Sequence, residues 1–111
     1  MKLTHVDIHE AHKQLTSNPE IMILDLRTEE EFELFYIEGA VNVDATEKYF
    51  AFEIGELDKD KTYLIHCHSG DRSLKALDEF KKQGFKHIIH MDSGMREWNH
   101  NKLPAIYNWT I

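Results

Sequence analysis

Four short, largely apolar runs, Ile21-Met22-Ile23-Leu24, Val41-Asn42-Val43, Tyr63-Leu64-Ile65 and Ile88-Ile89, recur along the chain with helix signals between them. Runs this short and this continuous are how strands read when both faces of a sheet are covered. Asp7-x-x-Glu10 and Thr28-x-x-Glu31 are capping-box patterns that open helices, the first leading into Ile8, Ala11, His12 and Leu15 on one face. The segment 46–57 reads as a further helix presenting Tyr49, Phe50 and Ile54. A last clear helix places Leu74, Ala76, Leu77 and Phe80 on one side, with Lys81-Lys82 suited to its C-terminal dipole and Gly84 to stop it. Strands alternating with helices have one usual solution. The chain is expected to form an α/β fold, a central parallel sheet of about five short strands flanked by helices on both faces.

At 111 residues the chain is expected to be one domain, 1–111, large enough to bury a core without staples. A hydrophobic share of 41% and the lack of any low-complexity tract exclude a disordered chain. A single cysteine rules out an internal disulfide and fits a reducing compartment. The N-terminal Met1 to Asp7 stretch lacks the apolar core of a secretory signal, and no run approaches the ~18 apolar residues of a membrane span. These features lead to the expectation of a soluble, cytoplasmic protein. A formal charge of −7 opposes binding to nucleic acid or to an anionic membrane. The oligomeric state is not legible.

The chemistry concentrates in Ile65-His66-Cys67-His68-Ser69-Gly70-Asp71-Arg72-Ser73. An apolar run delivers the only cysteine at a strand end, a polar loop follows, and a helix begins. Such a strand-loop-helix curls backbone N–H groups around its centre and aims a helix N-terminus at the same point. Cys67 is therefore expected to be a reactive thiolate in a polar, solvent-facing loop rather than a packing residue. Gly70 supplies backbone freedom that a Cβ forbids. Arg72, set against the helix dipole, calls for an anionic partner and is expected near the sulfur or bracing the loop. Ser73 is suited to cap the helix, to hydrogen-bond the sulfur, or both. His68, Ser69 and Asp71 are expected to face substrate or solvent while their amides line the loop.

Outside this loop the bland readings prevail. Neighbours on a strand point opposite ways, so His66, Cys67 and His68 make a poor metal-ligand set, and no metal or organic cofactor is expected. The remaining histidines are scattered. Glu29-Glu30-Glu31 reads as a solvated helix start, Asp25 and Arg27 as braces at a strand end, and Phe32, Phe80 and Trp98 as core.

Four residues lie between Cys67 and Arg72. Cysteine-dependent phosphatases resemble this arrangement but carry one residue more, enclosing a tetrahedral phosphate. The shorter ring suits a smaller guest, such as the outer sulfur of a persulfide. Cys67, Gly70, Arg72 and Ser73 match C-x-x-G-x-R-[ST], and here the chain resembles the rhodanese family of sulfurtransferases. Leu24-Asp25-Leu26-Arg27, Glu31-Phe32 and Ile37 to Asn42 resemble that family's D-x-R…E-F…G-H-I-P-G-A-x-N signature, and Ser93 to Trp98 with Leu103-Pro104 its G-G-x-x-x-W…G-L-P segment. Phe35-Tyr36, Glu38, Ser93 and Lys102 depart from those patterns, all outside the Cys67 loop.

The resemblance implies a single-domain rhodanese-like fold and sulfur transfer through a Cys67 persulfide, with residues 68–73 binding the anion. The donor would be thiosulfate, a polysulfide, or a protein's persulfide or thiol. A cysteine-dependent phosphatase or arsenate reductase, and a non-catalytic binding module of the same fold, stand as the alternatives.

Overall fold

In a computed structural model, which describes residues 1–108, the alternation of strand and helix is realised. Positions 109–111 of the expected domain lie outside the described residues. The order is β1 (Lys2–Val6), α1 (Ile8–Ser17), β2 (Met22–Asp25), α2 (Glu29–Leu34), β3 (Phe35–Tyr36), β4 (Val41–Asn42), α3 (Phe50–Gly55), β5 (Thr62–His66), α4 (Asp71–Lys82), β6 (His87–Met91), α5 (Gly94–His100) and β7 (Ile106–Tyr107). A five-stranded sheet runs β1-β6-β5-β2-β4 with every neighbouring pair parallel. β5 is its middle strand.

Alternating side chains along these strands feed two cores. Leu24, Ile65 and Ile88 pack with Phe50 and Ile54 of α3 and Ala76, Leu77 and Phe80 of α4. On the opposite face Ile23, Leu64 and Ile89 meet Ile8 and Ala11 of α1 and Met95 and Trp98 of α5. Phe80 and Trp98 are essentially inaccessible to solvent, and burying a side chain of that size contributes about 2–3 kcal/mol. No helix among the described residues is long and apolar enough to cross a membrane.

The helix starts follow the sequence closely. Asp7 Oδ1 accepts the Glu10 amide at 2.8 Å, and Thr28 with Glu31 completes a reciprocal capping box. Other details differ. α3 begins only at Phe50, because Asp44 takes the Thr46 amide at 2.8 Å and the Thr46 hydroxyl at 2.7 Å, turning the chain before the helix. Tyr49 is left exposed. Leu74 is 55% exposed, a correction to the expected apolar face. The buried side of α4 is Ser73, Ala76, Leu77 and Phe80, so a serine holds the position that a core residue would fill.

β1 was hidden from pattern reading by Lys2, Thr4 and His5, which an edge strand tolerates. The antiparallel pair β3–β7 is only two residues long on each side, too short to leave a pattern. Lys102, standing where the resembled pattern has glycine, adopts φ +56°, a left-handed conformation costing an L-residue roughly 1 kcal/mol.

Candidate active site

β5 ends at His66 and sets Cys67 at the carboxyl edge of the sheet's middle strand, where open α/β sheets place their ligands. The thiol is fully buried, which corrects the expectation of a solvent-facing cysteine. The cause lies in α5, whose first amides reach over the loop. Met95 N–H donates to the Cys67 carbonyl and Arg96 N–H to the His68 carbonyl, each at 2.9 Å. This approach requires glycine at its contact point. A Cβ on Gly94, at φ +66°, would lie 2.4 Å from the His68 carbonyl oxygen and 2.6 Å from that of Cys67. Ser93, at φ −91°, has ordinary backbone and needs no glycine.

With its carbonyls tied outward, the loop turns donors inward. Cys67 Sγ receives the Gly70 N–H at 3.1 Å and the Ser73 N–H at 3.4 Å, and lies 3.3 Å from Ser73 Oγ. Gly70 is the residue before α4, at φ +98°, and a Cβ there would meet the Asp92 carbonyl oxygen at 2.0 Å. Ser73 does not cap α4; its hydroxyl lies between the sulfur, the Gly70 carbonyl at 3.2 Å and His90 Nε2 at 2.7 Å. His68 and Ser69 are half-buried and Asp71 is exposed.

Arg72 has the anionic partner that its position called for. Its guanidinium grips both carboxylate oxygens of Glu31, at 2.5 and 3.0 Å. The hydrogen bond to Glu31 raises the Arg72 pKa further. The same bond, helped by the Thr28 amide and opposed by burial, brings the Glu31 carboxyl down to about 2. Glu29 and Glu30 form the solvated helix start that was expected, whereas Glu31 belongs to the site.

Asp25 and Arg27 brace the neighbouring strand ends. Arg27 Nη2 donates to Asp25 Oδ2 at 2.8 Å and to the Phe35 carbonyl at 2.6 Å, and both residues are almost wholly buried. Asn42 Nδ2 binds the carbonyls of Asp25 and Arg27, joining β4 to the same cluster. His66 Nδ1 lies 3.2 Å from the Cys67 carbonyl. Its Nε2 is 3.8 Å from Asp25 Oδ2 and has no hydrogen-bond partner among the described residues. Burial pushes the His66 pKa down, against the pull of Asp25 and the Cys67 carbonyl. No three His, Cys, Asp or Glu side chains among the described residues converge as metal ligands would.

Gly94 stands in the Ser93 to Trp98 segment that carries the resemblance, whereas nothing in the sequence pattern marks His90 or His5 directly. The usable signal was the serine on the buried face of α4, which must find a polar partner inside. Burial first, then His5, with a smaller push from His66 and an opposing pull from Asp92, brings the His90 pKa from 6.5 down to about 4. Between those values the unfolded chain binds the extra proton and the folded chain does not, so stability falls as pH drops through that window. Denaturant unfolding from about pH 7 to about pH 4 should show a progressive loss of roughly 3 kcal/mol from this group. A profile flat across the window would mean that His90 is charged in the fold.

The site is thus an amide-lined loop around a buried sulfur, at the centre of a parallel sheet with helices on both faces. The family model described as "Rhodanese-like domain" matches residues 7–101, and the chain belongs to that family. It is 44% identical over 91 residues to a Bacillus subtilis (strain 168) protein named as a sulfur carrier, YrkF, covering 80% of this chain and 48% of that protein. It thus spans about half of YrkF, and only 23% of the adenylyltransferase/sulfurtransferase MoeZ of Mycobacterium tuberculosis, which is 28% identical over 90 residues, or 81% of this chain. The thiosulfate sulfurtransferase GlpE of Shewanella oneidensis is 29% identical over 86 residues, 78% of this chain and 83% of that one. Among solved structures, a rhodanese-like domain protein from Staphylococcus aureus superimposes with TM-score 0.74 at 26% identity, covering 88% of this chain and 91% of that one. The rhodanese-like domain of the Anabaena sp. Alr3790 protein reaches TM-score 0.81 at 19% identity over 93% of this chain and 78% of that one, a likeness of fold.

Proposed function

We propose that the chain, acting as one domain over residues 1–111, is a sulfurtransferase in which Cys67 carries sulfane sulfur as a persulfide. The observation that supports this reading best is the meeting of the Gly70 amide, the Ser73 amide and the Ser73 hydroxyl at the Cys67 sulfur. Donors fixed around an anionic sulfur do the work of an oxyanion hole, with no metal and no organic cofactor.

In the first step the Cys67 thiolate attacks the outer sulfur of a donor. A new S–S bond forms, the donor's own S–S bond breaks, and its electron pair leaves with sulfite or with a thiolate. The outer sulfur then rests among the amides of His68, Ser69, Gly70, Asp71, Arg72 and Ser73. In the second step cyanide, a small thiol or a protein cysteine attacks that sulfur, and the electron pair of the broken bond returns to Cys67. Two displacements through one covalent intermediate give ping-pong kinetics. Arg72 contributes by holding the loop to α2, and Asp25 with Arg27 by fixing the strand ends beside it.

The formal charge of −7 and the exposed Asp71 repel a small dianion, which favours a persulfide carried by a thiol or a protein as donor. The phosphatase reading loses ground, because the arginine it needs for phosphate is engaged by Glu31. Incubation with thiosulfate, or with glutathione persulfide, should leave the intact protein one sulfur atom heavier, and cyanide should remove that atom as thiocyanate. No adduct from either donor would overturn the proposal; hydrolysis of an aryl phosphate would move it to the phosphatase class.

A further inference from the structure

Two histidines far apart in sequence form a line that ends on the reactive sulfur. His90 is 1% exposed on β6, and its Nε2 lies 2.7 Å from Ser73 Oγ, which is itself 3.3 Å from Cys67 Sγ. The other ring nitrogen, Nδ1, lies 3.0 Å from Nδ1 of His5. His5 is the residue directly opposite His90 in the β1–β6 register, and it is exposed. Three short contacts therefore connect a fully buried thiol to the protein surface.

The chemistry of imidazole restricts how these contacts are made. A close Nδ1–Nδ1 pair needs a hydrogen on one ring and a lone pair on the other, so the tautomers of His5 and His90 are locked together. His90 is neutral at ordinary pH and carries one N–H. The groups facing it are His5 from β1, His66 from β5 and Asp92 just beyond its own strand. If its hydrogen is on Nδ1, Nε2 takes the Ser73 proton and turns the hydroxyl away from the sulfur. If His5 supplies the hydrogen at the Nδ1 pair, His90 Nε2–H donates to Ser73 Oγ and leaves the hydroxyl to donate to the sulfur at 3.3 Å or the Gly70 carbonyl at 3.2 Å, of which a sulfur anion is the stronger acceptor.

We propose that His90 and His5 are positioning residues of a hydrogen-bond relay that, through Ser73, carries the Cys67 thiol proton to solvent and leaves the Ser73 hydroxyl pointing at the sulfur. In the thiol form S–H donates to Oγ, Oγ–H to His90 Nε2, and His90 Nδ1–H to His5 Nδ1. On ionisation each hydrogen moves one place. The S–H bond breaks with its electron pair left on sulfur, and a new Oγ–H forms from that proton. The former Ser73 proton moves to Nε2, and the Nδ1 proton of His90 passes to His5. His5, briefly an imidazolium, releases its Nε2 proton to water. Nothing is oxidised or reduced, and the sulfur gains the Ser73 hydroxyl as a third donor beside the two amides.

The role given to the relay rests on Cys67 being the sulfur-carrying group, but the relay itself moves only the thiol proton and its test does not need turnover. The rate of Cys67 alkylation by iodoacetamide is measured against pH in the parent, in His5→Gln, in His90→Gln and in the double variant. His5 is exposed, so His5→Gln reports even if His90→Gln fails to fold. Each substitution should move the alkylation profile up by about one pH unit, a tenfold loss of reactive thiolate below the midpoint. The double variant should move it no further, because both act through one path. On a Ser73→Ala background, His5→Gln should have no effect. A His5→Gln profile lying on the parent's, or an equal shift with Ser73 absent, would overturn the relay. If the profile shifts as stated while thiosulfate and glutathione persulfide leave no adduct, the sulfurtransferase reading fails and the relay stands.

Discussion

Replacing Cys67 with serine should abolish sulfur transfer and leave the protein folded. A serine oxygen accepts the same Gly70 and Ser73 amides that now reach the sulfur, so the loop keeps its inward donors. The cost in stability should stay near 1 kcal/mol, the scale of one altered hydrogen bond. Sulfane sulfur has nowhere else to bind, since Cys67 is the only thiol in the chain. The measurements are thiocyanate release from thiosulfate and cyanide, whole-protein mass after donor treatment, and a thermal melt. A serine variant that still transfers sulfur above background would remove Cys67 from the mechanism.

The second large effect is expected at Gly94→Ala. The added methyl would lie 2.4 to 2.6 Å from backbone atoms of Cys67 and His68, none of which is a flexible side-chain end. Either α5 lifts from the loop, or the loop turns its carbonyls and loses the inward aim of its amides. Transfer should fall at least about a hundredfold, the scale of losing one preorganised donor. Stability should fall by roughly 2–4 kcal/mol. Gly84→Ala is the control, because Gly84 also has positive φ, +85°, yet a Cβ there meets nothing within 4 Å. It should lose stability through strain and keep transfer. Comparable loss of transfer in both variants would mean that global destabilisation, rather than the α5 contact, governs the site.

The layered fold was legible because β2, β5 and β6 are covered on both faces and so show unbroken apolar runs. β1 was not, because an edge strand carrying Lys2, Thr4 and His5 has no such run. The loop from Cys67 to Ser73 could be located from residue types alone, since a cysteine between a buried strand and a helix start needs nearby donors. Its burial could not, because the cover comes from amides of Met95 and Arg96, and backbone leaves no mark on composition. His90 stayed hidden for a related reason. A lone histidine in an apolar run reads as a satisfied core residue until the serine that meets it from α4 is known.

Glu31 closes the capping box of α2 through the Thr28 amide and also grips Arg72 beside the sulfur loop. One carboxylate thus answers to two neighbours, one on its own helix start and one on the sulfur loop. Loss of the Glu31 carboxylate would uncap a helix start and free a loop in a single step. Thr28 and Arg72 thus share one anchor, the Glu31 carboxylate. The surface of α2, which looks free to drift, is tethered to the chemistry by that side chain.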